Sequence, residues 1–355
     1  MTHPLPPSAQ ARPLSLRRRS WCQSFFCGLF LAGTATVASA ANAPIRAGMI
    51  GLDTSHVPNF IKIFHDPKAT PDIAGIKIVA AYPGGTDMPA SKNRVENFTK
   101  GVRAAGIEIV DSIPKLLEKV DVILLESVDG RIHLQEAIPV IRAGKPLWID
   151  KPAAGTLADA VALYDFAKKH NVPCFSSSGL RFVKGTVELA QNKTIGKLVG
   201  AISWGNAGYE KGTPDLFFYG IHGIEPLFAL MGQGCESVTR LQTASIDIVS
   251  GVWPEGRVAT YRGLRKDKGG FGLVAFGTDG IATAPAGSLG GYRELCVAIA
   301  QFFKTKQVPV TPEETLEVLA FMEAADESKR QGGKSITLAS VMAKARKEAV
   351  GKTPR

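Results

Sequence analysis

No acidic residue occurs before Asp53, and cysteine is sparse, with five in 355 residues. Cys22 and Cys27 lie in the acid-free leader, while Cys174, Cys235 and Cys296 are widely spaced and odd in number. That pattern excludes a disulfide framework and offers no metal motif. Each of these three reads as a small buried hydrophobe. No basic block with interleaved aromatics appears, which excludes nucleic acid as a partner. Internal repeats and low-complexity tracts are missing too. So is an intact G-x-G-x-x-G.

The leader has three parts. Arg17-Arg18-Arg19 is a basic n-region, Phe25–Ala38 an apolar stretch, and Ala38-Ser39-Ala40 a small-residue cleavage site. This is the pattern of a secretory signal, so a periplasmic or secreted protein is expected. The apolar stretch is too short to span a bilayer. Arg18-Arg19-Ser20-Trp21 loosely resembles a twin-arginine signal; an ordinary unfolded-chain signal is the other reading. Cys27 follows Phe26 rather than a small residue, which argues against a lipid anchor. Removing the leader takes four arginines and lowers the net charge from +10 to +6, a mild surplus.

From Ile45 onward strands and helices alternate. Strands are predicted at Ile45–Gly51, Ile76–Tyr82, Ile107–Val110, Val122–Leu125, Pro146–Ile149 and Pro173–Ser177. Between them run helices with apolar residues at i, i+3, i+4 and i+7, such as Val57, Phe60, Ile61 and Phe64. Ser112 is expected to cap one of them. The series reads as a Rossmann doubly wound parallel sheet. Beyond about residue 195, strand patterns separated by glycine turns predict a C-terminal α/β domain with a mainly antiparallel open sheet. The expected division is a signal over 1–40, a dinucleotide-binding domain over 41–173, a substrate domain over 174–345 and a flexible tail over 346–355.

Residues 141–152 carry the most information. A helix ends at Gly144, a short apolar strand follows, and Asp150-Lys151-Pro152 stands at its carboxyl end. In an open parallel sheet that end faces the ligand crevice. The tripeptide resembles the Glu-Lys-Pro signature of the glucose–fructose oxidoreductase/inositol dehydrogenase (Gfo/Idh/MocA) family, with Asp for Glu. The whole layout is similar to that family, including the opening of a late helix at Val310-Thr311-Pro312-Glu313-Glu314. The resemblance implies an NAD- or NADP-dependent oxidoreductase acting on a carbohydrate or polyol. It implies a lysine, here Lys151, that stabilises charge on the reacting oxygen.

A dinucleotide fingerprint uses glycines so that backbone can approach pyrophosphate. Gly51 matches the first glycine, but Asp53 and His56 replace the second and third. Two unit charges at about 4 Å interact by roughly 4 kcal/mol at an effective dielectric of 20. A carboxylate aimed at pyrophosphate would cancel most of the benefit of the site. Asp53 is therefore expected to turn away, capping the next helix through the amide of Ser55 or His56. Ser55, His56 and the helix N-terminus would then receive phosphate. The second strand ends in Pro83-Gly84-Gly85 where relatives carry a ribose-binding acid, which tilts the expectation from NAD toward NADP. Lys92 and Arg94 fit either a 2′-phosphate or a solvated basic helix. By position in the family, Glu126 and Ser127 are expected against the nicotinamide ribose, and His133, opening the next helix where the family often carries a histidine, is expected at the cofactor.

The resemblance extends to Phe218-Tyr219-Gly220-Ile221-His222-Gly223-Ile224-Glu225, where the family carries Asp-x-Gly-x-His-x-x-Asp on a helix. Gly220 and His222 match, Glu225 replaces the last acid and Phe218 the first. If helical throughout, 218, 222 and 225 share one face, bordered by Tyr219. His222 oriented by Glu225 would be a general base near neutral pH. Arg181 stands where relatives place an arginine at the substrate rim. No metal is expected. The expected partners are a small carbohydrate and a second copy of the chain through the C-terminal sheet, with no stable membrane anchor. The rival reading is a secreted sugar-binding protein that has lost hydride transfer, favoured by Phe218 and Asp53.

Overall fold

The computed structural model describes residues 43–354 except 267, 268 and 286. The leader lies outside the described residues. Among those described, no helix is long and apolar enough to cross a membrane.

Six strands build the first sheet: β1 Ile45–Ile50, β2 Ile76–Tyr82, β3 Glu108–Ile109, β4 Val122–Leu125, β5 Leu147–Ile149 and β6 Cys174–Ser176. All pairings are parallel, in the order β3-β2-β1-β4-β5-β6. That is the Rossmann order, with its reversal between β1 and β4. The central strands are apolar on both faces because helices cover both, while Arg46, Lys77 and Glu108 on β1, β2 and β3 are exposed. Ala47–Ile50 and all of β4 and β5 are buried. Local chemistry sets several helix ends. Thr156 accepts from the Asp159 amide at 3.0 Å, and Thr311 from that of Glu314 at 3.1 Å. Gly144, at φ 69°, closes the helix before β5. Ser112 stands at an N-cap position, but its side chain makes no capping bond.

The second sheet has seven strands: β7 Leu198–Asn206, β8 Ser237–Gln242, β9 Ile246–Val252, β10 Val258–Leu264, β11 Gly272–Gly277, β12 Ile281–Thr283 and β13 Ile336–Thr337. They run β12-β11-β7-β10-β9-β8-β13, antiparallel except for β7 with β10. One face packs on the helices Ile221–Met231 and Pro312–Arg330; the other exposes Leu241, Val258 and Ile281.

The chain does not divide in space at residue 173. β6 completes the first sheet, and the helix Arg293–Thr305 returns to it, packing Leu295, Ile299 and Phe303 against Met49, Phe60 and Trp148. Its apolar face finds there the side of the sheet that the earlier helices leave open. The tail expected to fray after Ala345 is helical to Ala349, because Leu338, Val341 and Ala345 are buried.

Candidate active site

The loops leaving β1, β4, β5 and β6 converge at the carboxyl ends of the first sheet. There they meet the amino end of the helix Ile221–Met231 and the loop residues Phe271 and Tyr292. Between them lies a cleft of about 370 Å³, lined by Ser55, His56, Lys151, Ser178, Tyr219 and His222 among others. A larger hollow of about 780 Å³ lies away from the strand ends, under the helices Leu157–Lys169 and Pro312–Arg330. The smaller one is the better candidate because the topology places strand-end chemistry in it.

Gly51 has φ +84°, and a Cβ there would lie 2.4 Å from the Ser127 amide nitrogen. Only glycine lets the turns after β1 and β4 approach this closely. Asp53 does turn away from the cleft, but not as a helix cap. It is buried, accepting from Ser91 Oγ at 2.5 Å and from the Val128 amide at 2.8 Å. Burial pushes its pKa up against those two hydrogen bonds. The helix His56–Phe64 begins without a capping side chain, and exposed Ser55 stands at its entrance, touching Tyr292 Oη at 3.1 Å. A phosphate group therefore meets no carboxylate from Asp53 and finds an open helix N-terminus. The residues present fit a dinucleotide. Arg94 also lines the cleft, whereas Lys92 is exposed on the surface.

Three residues expected at the cofactor are sealed from it. Ser127 is fully buried and donates to Glu136 at 2.7 Å. His133 is fully buried, its ring nitrogens 2.7 Å from the Ser127 carbonyl and 2.9 Å from that of Pro152. It ties the β4 turn to the loop carrying Lys151, and so positions rather than touches. Glu126 is fully buried and faces His56. Position in a family pattern gave the right loop but not the direction of each side chain.

Lys151 keeps 8% exposure and lines the cleft, and the peptide bond to Pro152 is cis. His222 lies on the same cleft, its Nδ1 2.8 Å from Ser178 Oγ. Burial, and then the Lys151 ammonium, holds its pKa well below the ordinary histidine range. The imidazole is neutral at neutral pH.

The expected His222–Glu225 dyad does not form. The helix begins only at Ile221, so Phe218 and Tyr219 enter the cleft from the preceding turn. Glu225 points inward instead, accepting from Arg181 Nε at 2.6 Å and Ser177 Oγ at 3.3 Å. Arg181 also donates to Glu314 at 2.6 Å. Its side chain is only 10% exposed, so it cross-links β6 to two helices rather than meeting substrate at a rim. The cleft residues Ser178, Phe271 and Tyr292 escaped sequence reading. Ser178 stands two residues past the end of β6, a signal of position alone, and the other two arrive from distant elements without a motif.

A family model described as "Oxidoreductase family, NAD-binding Rossmann fold" (GFO_IDH_MocA) matches residues 45–178. No curated protein matches the sequence. Among solved structures, a probable dehydrogenase from Thermotoga maritima is 20% identical, with a TM-score of 0.67 over 84% of this chain and 100% of that one. Myo-inositol 2-dehydrogenase from Lactobacillus plantarum is 17% identical, with a TM-score of 0.68 over 83% of this chain and 99% of that one. Scyllo-inositol dehydrogenase from Lactobacillus casei, solved with NAD(H) and scyllo-inositol, is 16% identical, with a TM-score of 0.67 over 83% and 99%. At such identities these likenesses establish the fold. With the glycine turn and the lysine at the end of β5, residues 45–178 match the NAD-binding Rossmann domain of the Gfo/Idh/MocA oxidoreductases, and the chain as a whole shares the fold of the solved dehydrogenases.

Proposed function

We propose that this protein is an exported enzyme that oxidises a CH–OH carbon of a carbohydrate or polyol, or runs the reverse reaction, with its dinucleotide held between turnovers. The observation that carries the reading is the placement of Lys151 and His222 on one cleft sized for a small molecule. Phe218, Tyr219 and Phe271 add aromatic surface suited to the face of a sugar. The inositol dehydrogenases of the same fold support a polyol.

A bound dinucleotide supplies the hydride acceptor. Lys151 donates to the substrate oxygen and stabilises the charge that grows there as hydride departs. His222, with Nδ1 engaged by Ser178, offers Nε2 to the hydroxyl proton. An imidazolium beside Lys151 is disfavoured, so the accepted proton passes readily to solvent. Arg94 at the cleft and the absence of an acid at Pro83-Gly84-Gly85 favour NADP over NAD. The leader supports export, and outside the cytoplasm no pool of free dinucleotide is maintained. The cofactor is then recycled in place.

Lys151→Ala tests the reading on mature protein purified from its host. Turnover of a confirmed polyol substrate should fall by about two to three orders of magnitude with folding intact. Unchanged turnover would remove Lys151 from the reaction. Mass spectrometry of the same preparation should find a chain beginning near Ala41 and near-stoichiometric NADP or NAD released on denaturation. An intact Met1 would reject export. If nothing is released, and neither dinucleotide raises the melting temperature, the cofactor reading falls.

A further inference from the structure

His56, Glu126 and Asp150 come from the turns after β1, β4 and β5, 70 and 24 residues apart in sequence. The topology brings one donor atom from each within 4.8 Å of the others. His56 Nδ1 lies 3.2 Å from Asp150 Oδ2 and 3.5 Å from Glu126 Oε2. All three residues are buried, with Glu126 at 0% and Asp150 at 1% exposure.

What sets the trio apart is unmet bonding. Both Glu126 carboxylate oxygens, Asp150 Oδ2 and His56 Nδ1 have no hydrogen-bond partner among the described residues. The other buried acids of this region are satisfied. Asp53 accepts from Ser91 and Val128, Glu136 from Ser127, and Glu225 from Arg181 and Ser177. Asp150 Oδ1 is likewise occupied, by the Lys151 amide at 2.7 Å. Buried carboxylate oxygens without donors are costly unless a cation takes the place of water.

We propose that His56, Glu126 and Asp150 bind a divalent transition-metal ion of the zinc type. Zinc–nitrogen and zinc–oxygen bonds are about 2.0–2.2 Å long. Donors at tetrahedral angles around such an ion stand roughly 3.3–3.5 Å apart. The two His56 separations match that edge. Against burial, Asp150 and Glu126 raise the pKa of His56 to about 10, so an incoming dication displaces a proton; two carboxylates and the neutral imidazole then balance it, and three protein ligands leave a fourth position open. The nitrogen donor and the small ligand number select against Ca²⁺ and Mg²⁺, which prefer more oxygens. Two of the ligands stand where this chain departs from its family. His56 replaces the third glycine of the fingerprint, and Asp150 replaces the glutamate before the lysine. The ion site does not depend on the dinucleotide reading.

The test uses the full folded protein stripped with a chelator. Titration with Zn²⁺ by calorimetry should show uptake of one ion per chain. Co²⁺ should give the intense visible absorption of a tetrahedral centre. It should also quench the fluorescence of Trp148, whose ring lies 6.1 Å from that of His56. Glu126→Gln and Asp150→Asn, each confirmed folded by circular dichroism, should weaken Zn²⁺ binding by about 100-fold or more. No stoichiometric uptake by the unaltered protein overturns the proposal, whatever the variants do. Undiminished uptake in both variants overturns it as well, because the ion then sits elsewhere. Dinucleotide binding is read separately, from the melting shift of the same stripped protein.

Discussion

Arg181→Met separates a structural arginine from a substrate-binding one. The guanidinium holds Glu225 and Glu314 at 2.6 Å each, with side-chain exposures of 10%, 2% and 20% for the three residues. Methionine keeps the packing volume and removes the charge. Glu225 is then a buried carboxylate left with one weak partner, Ser177. Breaking a buried pair from one side costs about 3–5 kcal/mol. With an unfolding entropy of about 2.1 cal/mol/K per residue, a folded unit of this size has a total near 0.65 kcal/mol/K, so the melting temperature should fall by roughly 5–8 °C. The loss has a defined sign with pH. Burial already raises the pKa of Glu225, and Arg181 opposes that rise. Without the arginine the folded-state pKa moves further above the unfolded value. The folded state then binds the extra proton, and stability is lost as pH rises through the raised pKa. The melting deficit should therefore be larger at about pH 8 than at about pH 5. Adding Glu225→Gln should recover much of it, since both partners are then neutral. Scanning calorimetry of the single and double variants decides. An unchanged melting temperature with a raised KM would refute the reasoning and return Arg181 to the substrate.

Two further outcomes follow from the same geometry. Gly51→Ala places a Cβ 2.4 Å from the Ser127 backbone nitrogen at φ +84°. Backbone cannot yield cheaply, so thermal melts should show a loss of at least about 2 kcal/mol, with weakened dinucleotide binding; a neutral melt would show that the turns can part. Burial raises Glu136 to about 7 from its ordinary 4.5, with Ser127 Oγ partly opposing the rise. Its folded-state pKa exceeds the unfolded one, so stability is intact below about pH 4.5 and declines by up to ~3 kcal/mol as pH rises through about 7. Urea unfolding across that window should show the decline, and Glu136→Gln should flatten it. An equal slope in the variant would assign the effect to another group.

Local sequence determined the layers of this protein. Apolar runs such as Val122–Leu125 and Ile76–Tyr82 match β4 and β2 at both ends; β4 is buried and apolar throughout, and β2 is broken only by exposed Lys77. The placement of Lys151 and His222 on the cleft, and of Gly51 in the turn after β1, was legible because each follows a strand or opens a helix at a place that the parallel topology turns toward the crevice. Side-chain partners were not legible. A carboxylate three residues from a histidine on a helix looked like its orienting acid, yet Arg181, 44 residues away, claimed it. His133 and Ser127 stood in the right loop and turned inward, since two carbonyls and Glu136 could satisfy them there. The strand β9 and the helix Leu338–Ala349 went unread; in β9 the buried positions are Asp247, Val249 and Gly251, so pairing with β8 and β10 rather than an apolar alternation defines it. Only the tertiary structure decided that His56, Glu126 and Asp150 share one buried volume. Charge acts through space over a few ångströms, whereas sequence orders residues only along the chain.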